Sequence, residues 1–309
     1  MSQSPDRSHA RSIGRELDRR ALARRRLARR GFTLTEVLIA LAIAGVIGAA
    51  VTSLVVSQFR LTDLQRSQRN ARKVGRSGYN VIQSDLRMVE RSGVVDAGAT
   101  RLTVRAPFAI ALFCASAPAV LPTSSTVLVI PTDSVAFAEG RAAFTGFAAR
   151  NLAGGAYVYV EPATAALVAG NAACDAAGIG TFPAGGLPGR VSVTVTPAVP
   201  AGTQPGDAVL LYHTVRYEFK NSAAVPGTTG LWRRKMGTNV DEEIVAPFAQ
   251  SAGFQYFTGT ARSPGAAPGD LTTIVGVALR LNGQSRAKVP GRAARDSSNL
   301  TTGVYFANW

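Results

Sequence analysis

The feature that most constrains this chain is an apolar run close to its N-terminus. Val37–Val56 is 20 residues long, and its only polar members are Thr52 and Ser53. At 1.5 Å per residue, a helix of about 20 residues spans the roughly 30 Å hydrocarbon core of a bilayer. The sequence therefore predicts a membrane-spanning helix. Glu36 stands at its start and is the single charge between Phe32 and Phe59.

The charge of the chain is concentrated ahead of this run. The protein has 309 residues and a formal net charge of +15, and residues 1–31 hold ten arginines against three acidic side chains. Such an asymmetry indicates a targeting segment or a nucleic-acid-binding arm. Six more basic residues follow the run within residues 60–76. Because the cytoplasmic side of a span carries the excess of cations, the larger N-terminal cluster predicts a cytoplasmic N-terminus and an extracytoplasmic head.

A helical pattern continues beyond the apolar run. Apolar residues recur every three or four positions, which is the spacing of one face of an amphipathic helix. They are Val74, Gly78, Ile82, Leu86 and Val89. Gly93 is predicted to stop the helix at the C′ position, where glycine accommodates a left-handed backbone. We therefore expect one helix from Phe32 to about Arg91, apolar all round in its first half and amphipathic in its second.

The pattern changes after Gly93. Short alternating runs, such as Val191–Val195 and Val215–Phe219, are separated by stretches rich in glycine, proline, serine and threonine. This is typical of antiparallel sheet with long loops. Since neither a second linker nor a repeat is visible, we expect a single head over residues 93–309. The predicted fold class is α+β, with a long N-terminal α-helix packed on a β-rich head built of antiparallel sheet.

Two common kinds of N-terminal segment explain only part of this pattern. A plain signal anchor explains the span but gives Glu36 no role. A twin-arginine signal would use Arg29–Phe32 and a small-residue cleavage site at Ile47–Ala49. However, Glu36 interrupts the apolar core of such a signal, and 20 residues exceed its usual length of about 7–15. The corresponding alternatives are an exported enzyme or binding domain and a signal-anchored surface protein.

The residues that lead into the run suggest a third kind of segment. Gly31-Phe32-Thr33-Leu34-Thr35-Glu36 precedes it directly. This stretch resembles the prepilin motif of type IV pilins and type II secretion pseudopilins, and the resemblance implies a pilin-like fold. It also implies a prepilin peptidase that cuts between Gly31 and Phe32, removes residues 1–31 and methylates the new amine of Phe32. Glu36 becomes the fifth residue of the mature chain, where the family carries its glutamate.

The resemblance gives Glu36 a role in assembly. An isolated charge at the centre of a span costs roughly 2.5–3.5 kcal/mol, and a position near the end of the span costs less. The α-amine of Phe32, on the same or a neighbouring subunit, would pair with Glu36 and help to register an incoming subunit. The alternative is an interfacial carboxylate that only reaches toward water.

Weaker resemblances in the head favour a minor subunit. Asp85–Met88 resembles a recurring feature of PilW-type minor pilins and of the J-type minor pseudopilin. Val215–Phe219 followed by Gly230–Arg234 resembles their late strand pair. The mature chain, residues 32–309, has 278 residues. That is large for a major pilin, and larger members are more often low-copy subunits that cap or initiate the filament.

The resemblance thus implies a complete organisation. It comprises a basic cytoplasmic leader (1–31), a helix (32–92, with 32–58 transmembrane and 59–92 an amphipathic stem) and an extracytoplasmic head (93–309). The location is the bacterial inner membrane, in a single pass, and then a pilus or pseudopilus. The partners are the prepilin peptidase and other pilin or pseudopilin subunits, through the N-terminal helix. We expect no enzymatic activity, catalytic residue, metal or cofactor.

Cys114 and Cys174 are the only cysteines. They lack the CxxC spacing of zinc or thioredoxin-like sites. An extracytoplasmic head allows them to be oxidised, and a bridge closing about 60 residues is worth about 4 kcal/mol in the chain-entropy model. We expect a disulfide, with two separate buried thiols as the alternative.

Three further groups were weighed for chemistry. His213 has no nucleophile at a suggestive spacing, so a structural role is expected. Asp241–Glu243 lacks the pattern of a calcium loop, so a solvated turn is expected. A basic belt follows the span and consists of Arg60, Arg66, Arg69, Arg72, Lys73 and Arg76. Contact with lipid headgroups or a solvated face is expected of the belt, and nucleic acid ranks below both because no aromatic residues are interleaved.

Overall fold

The computed structural model describes residues 32–90, 92–116, 122–150, 157–179, 190–259, 263–289 and 291–306. The predicted leader, including Gly31, lies outside the described residues. The chain divides into two compact units, one ending at Thr62 and the other beginning at Asp63. Helix α1, Leu34–Leu86, runs through this boundary without interruption.

The first unit contains the apolar half of α1. In the described part of the chain, α1 is the one helix that is long and apolar enough to cross a membrane. Every side chain from Phe32 to Thr62 is exposed. The hydroxyl of Thr52 donates to the carbonyl of Gly48 at 2.8 Å, and that of Ser57 donates to the carbonyl of Ser53 at 2.6 Å. These bonds satisfy two hydroxyl groups that hydrocarbon could not.

Helix α1 ends at Leu86, five residues before the predicted end. The chain then turns tightly, and the Met88 and Val89 amides each donate to a carbonyl three residues back at 3.2 Å. Ser92, and not Gly93, has the left-handed backbone, with φ of 68°. Gly93 is needed for a different reason, because a Cβ there would lie 2.8 Å from the Glu90 carbonyl.

The second unit is a β-rich head, as predicted. Its short helices are α2 (Ser134–Gly140) and α3 (Ala172–Ala176). The described strands are β1 (Val94–Ala97), β2 (Arg101–Ser116), β3 (Ser125–Val129), β4 (Gly146–Arg150), β5 (Tyr157–Val160), β6 (Thr164–Leu167), β7 (Val191–Thr196), β8 (Ala208–Asn221), β9 (Thr229–Lys235), β10 (Val240–Phe248), β11 (Gly253–Thr258), β12 (Ile274–Gln284) and β13 (Ser297–Tyr305). All pairings are antiparallel, in the order β11-β12-β10-β9-β8-β2-β3-β7-β6. Strand β13 adds to β12, β1 to β2, and β4 to β8 and β5.

Strands β2 and β8 form a long central pair that carries two hydrophobic cores. The first core lies under α1 and contains Ile82, Leu102 and Tyr217. The second contains Phe113 and Leu211 and has α2 as its helix. Among the described residues, no α1 side chain belongs to the second core. The head that the sequence presents as a single body therefore has two separate interiors.

A one-residue bulge on β2 lies between the two cores. Pro107 pairs with Tyr212 and Ala109 pairs with Leu211, so Phe108 is the extra residue. The β2 residues in the first core have even numbers, and those in the second core have odd numbers. Because alternate residues of a strand face opposite sides, the extra residue changes which set faces inward.

Small residues bring α1 against strand β12. The buried positions of α1 are Ser67, Ala71, Gly75, Gly78, Ile82 and Leu86. The first four are small, so the helix backbone can approach the sheet closely. A Cβ on Gly283 of β12 would overlap the Ala71 carbonyl and lie 2.9 Å from the Gly75 nitrogen. Backbone therefore meets backbone at this crossing.

One buried hydrogen bond ties the end of α1 to the central strands. The hydroxyl of Tyr217, which is fully buried, donates to the Asp85 carboxylate. Burial and the adjacent Asp85 charge raise the pKa of Tyr217 well above its ordinary range, so the phenol remains a donor. Asp85 and Tyr217 lie in the two stretches that the sequence analysis picked out separately.

His213 occupies a structural position between the two cores. Its ring is buried and stacks on Phe108 at a centroid distance of 5.3 Å. Its Nδ1 has no hydrogen-bond partner within the described residues. Burial, helped by the charges of Lys235 and Arg233, lowers the pKa of His213 to about 4. The ring is therefore neutral at pH 7.

Gly283→Ala should destabilise the head by about 3 kcal/mol, the upper end of the cost of overpacking, because the new methyl group would meet the backbone of α1 at Ala71 and Gly75. Thermal unfolding of the full chain in detergent measures the effect. Gly269→Ala is the matched control, since a Cβ there meets nothing within 4 Å. Equal shifts in the two variants would refute the backbone contact.

Lowering the pH should destabilise the fold through His213. The folded pKa of about 4 lies below the ordinary value of 6.5, so the unfolded chain takes up a proton first as pH falls. As far as His213 affects it, the free energy of unfolding is highest above pH 6.5 and falls by up to about 3 kcal/mol as the pH approaches 4. His213→Gln should flatten the dependence of the unfolding free energy on pH across this window. If His213→Gln kept the pH dependence of the unmodified chain, the assignment of this dependence to His213 would be wrong.

Candidate processing and assembly site

Thr33 and Glu36 form a reciprocal cap at the start of α1. The hydroxyl of Thr33 accepts from the Glu36 backbone amide at 3.2 Å. The Glu36 carboxylate accepts in return from the Thr33 backbone amide at 2.9 Å and from its hydroxyl at 3.0 Å. This is a capping box, in which N-cap and N3 side chains satisfy amides that the first helical turn leaves open.

The cap explains how a carboxylate is accommodated at this position. Glu36 accepts two hydrogen bonds within its own turn, and its charge lies at the positive end of the helix dipole. Sequence reasoning missed this role for Thr33, although Thr-x-x-Glu before an apolar run is the signature of a capping box.

The predicted partner of Glu36, the α-amine of Phe32, does not exist before cleavage. In the uncut chain the nitrogen of Phe32 belongs to a peptide bond and carries no charge. The side chain of Phe32 is 84% exposed. Cleavage would place a new cation four residues before Glu36 in the sequence, next to a carboxylate that its own helix already holds in place.

The predicted disulfide is present in the structure. Cys114 and Cys174 are bonded, with their Cα atoms 4.7 Å apart. Both side chains are buried and pack with Leu128. The bond ties β2 to α3 in the head.

The acidic run Asp241–Glu243 lies in strand β10, so the expectation of a turn is wrong, although Asp241 and Glu242 are exposed to solvent as expected. Asp241 pairs with Lys220 at 2.8 Å, and this contact lowers the pKa of the Asp241 carboxyl. Glu242 pairs with Arg233 at 2.9 Å. Glu243 accepts from the Ala223 and Ala224 amides at 3.0 and 2.9 Å, which fixes the loop between β8 and β9. Across the described residues, no three His, Cys, Asp or Glu side chains cluster as metal ligands would.

A cavity lies between α1 and strand β10. Its volume is about 500 Å³, and its charged lining residues are Lys73, Glu243 and Arg286. Glu243 is already engaged by the two loop amides. The remaining lining is short polar and aliphatic, without a nucleophile beside a general base. The cavity therefore has no arrangement of groups that defines a reaction.

Comparison with known families gives a match to this N-terminal region. The family model described as "Prokaryotic N-terminal methylation motif" matches residues 26–52. Comparisons with curated proteins and with solved structures gave no match. The matched residues contain Gly31, Phe32 and the capping pair. The chain therefore carries the N-terminal methylation motif, the signal of type IV pilins and pseudopilins, at the start of a long apolar helix that leads into a β-rich head.

Proposed function

We propose that this protein is a minor subunit of a type IV pilus or type II secretion pseudopilus. It is made as a membrane-inserted precursor, cut between Gly31 and Phe32, and methylated on Phe32. It is then assembled through α1 into the tip or initiation complex. Its work is structural and not catalytic. The observation that carries the proposal is the methylation motif at residues 26–52 joined to a fully exposed apolar half-helix.

The exposed half of α1 requires an apolar environment. Its large apolar side chains are all exposed, and Leu38, Leu41 and Val46 are each 60% exposed or more. A patch of this size on a soluble surface marks a membrane or protein contact. Lipid supplies the cover before assembly, and the helices of other subunits supply it afterwards. The arginine excess before the helix supports a cytoplasmic N-terminus and an extracytoplasmic head, and the disulfide is compatible with that side.

The size and build of the head support a low-copy role. Its two cores and the disulfide between Cys114 and Cys174 belong to one large head. A subunit at a tip or initiation complex has neighbours on fewer sides than a subunit in the shaft, so a bulky head is accommodated there.

The capping box suggests how processing and assembly are coupled. Thr33 holds the Glu36 carboxylate in the first turn of α1 while the precursor lies in the membrane. Cleavage then creates the Phe32 amine beside that turn. The amine pairs with Glu36 of the same or a neighbouring chain. Two opposite charges in an apolar environment then compensate each other.

The mass of the mature protein tests processing. We expect purified membrane or filament fractions to contain a chain that starts at Phe32 and carries one added methyl group. In cells without the prepilin peptidase, neither the cleavage nor the methylation should occur. Intact-mass spectrometry makes the measurement. A start near Ala50 would instead support an exported domain, and an uncut N-terminus would support a signal anchor.

Two substitutions separate the charge of Glu36 from its capping role. Glu36→Gln keeps a side chain that can cap but removes the charge, and Thr33→Ala removes the cap at a cost of about 1 kcal/mol but keeps the charge. If the amine pairs with Glu36, the first variant should be processed but excluded from sheared filaments, and the second should assemble. Immunoblots of filament and membrane fractions make the comparison. Normal assembly of Glu36→Gln would refute the pairing.

A further inference from the structure

The part of α1 that packs on the head carries five cations on its outer face. They are Arg66, Arg69, Arg72, Lys73 and Arg76, and we name them the basic stripe. All five are exposed. Within the described residues none of them takes part in an ion pair. Elsewhere in the head, most basic residues of strands β8 and β9 have acidic partners, as Lys220, Arg233 and Arg234 do.

The basic stripe faces away from the head. At 100° per residue its five side chains fall within an arc of about 120° around the helix axis. The buried positions, from Ser67 to Leu86, lie on the opposite side of the helix. Lys73 lines the cavity that Glu243 of the sheet also lines, whereas the charge of the four arginines is left for something outside this chain.

The stripe does not stabilise the helix that carries it. Like charges three or four residues apart are neighbours on a helix and destabilise it. The apolar and small residues of the opposite face are sufficient to dock this part of α1. The cations of the stripe thus destabilise their own helix and form no ion pair within the described residues. An external anionic surface is the best explanation for them.

The described helices of a second copy of this chain offer no row of acids. The described acids in this part of α1 are Asp63 and Asp85, and Asp85 is bonded to Tyr217. The acidic run of β10 is taken up by its own cations and loop amides. Two copies placed stripe to stripe would repel each other.

The spacing of the stripe fits the face of another helix. Its cations recur at intervals of three and four residues, which is a rise of about 4.5–6 Å. Carboxylates at positions i, i+3 and i+7 of a neighbouring helix have the same rise, so ion pairs can form along the row. Single-strand nucleic-acid sites interleave aromatic side chains with cations, and the stripe contains none.

We infer that the basic stripe docks against an acidic helix face of a different subunit. At the stripe, this chain therefore contacts another kind of subunit and not a second copy of itself. The inference rests on the proposed function, and it names the chemistry of the neighbour. A charge-reversed copy of this chain is a probe of that chemistry, because R69E/R72E/R76E presents acidic side chains at the required spacing.

The test measures association between full-length chains in neutral detergent micelles. Chains labelled at the N-terminus with donor or acceptor are mixed pairwise, and energy transfer reports association. We expect the wild type to associate with R69E/R72E/R76E at least tenfold more tightly than with itself, and 0.5 M salt to abolish the difference. The matched control, R141E/R280E/K288E, makes the same change of charge at exposed positions of the head and should behave as wild type. Circular dichroism and thermal unfolding check that both variants are folded.

Four outcomes would overturn the inference. They are equal transfer for the wild-type pair and the charge-reversed pair, equal gain from the head control, and stripe-dependent binding of either a 20-base-pair DNA duplex or anionic lipid vesicles that exceeds binding of the charge-reversed chain. None of them depends on cleavage, since every chain is compared in one processing state. An uncut N-terminus in cells would count against the proposed function and leave this measurement intact.

Discussion

The fold of the head depends on the backbone contact between α1 and strand β12. Gly283 leaves no side chain between the strand and the helix, and Ala71 and Gly75 offer none in return. Once the backbones meet there, the larger residues further along α1, Ile82 and Leu86, are placed in the first core. A helix that carried bulky residues at the crossing would stand off the sheet, and the bond between Asp85 and Tyr217 could not form. The smallest residues of the stem thus determine where its largest ones lie.

The N-terminal site obeys a second constraint, which is that polar groups in an apolar environment must be satisfied. Thr33 and Glu36 satisfy each other, and Thr52 and Ser57 bond to their own helix. These four side chains therefore have their polar groups paired within the helix and its cap. The charge of Glu36 lies in the first turn of α1, within the residues that match the methylation motif. A helix prepared in this way can exchange lipid for protein neighbours at little cost.

The sequence was sufficient for features that arise from local patterns. The apolar run, the change to strands after Gly93 and the motif around Phe32 all depend on neighbouring residues, and each was predicted. The capping role of Thr33 was also readable, from Thr-x-x-Glu, but the interpretation of Glu36 as an ionic partner obscured it. The turn expected at Asp241–Glu243 is wrong because cations on adjacent strands pair with Asp241 and Glu242 and allow consecutive acids to lie in a strand. Contacts such as Gly283 with Ala71 join residues more than 200 positions apart, and no local pattern announces them.

Charge is used differently in the two parts of the second unit. In the sheet, Lys220, Arg233 and Arg234 neutralise the acids of β10 across neighbouring strands, so that surface is nearly self-sufficient. The cations on the outer face of α1 are not neutralised in this way. A sheet surface whose charges are paired is thus joined to a helix face whose cations form no ion pair within the described residues.

The bulge at Phe108 has a consequence for how such a head can change over time. Even-numbered residues of β2 face the first core, and odd-numbered residues face the second. Deleting Phe108 would leave a regular strand in which Pro107 still pairs with Tyr212 and Ala109 with Leu211, so Ala109, Ala111 and Phe113 would stay on the inner face. A residue lost or gained away from the bulge would instead move every later side chain to the other face. Strand β2 can therefore change its length by a single codon at this one place while both cores keep their residues.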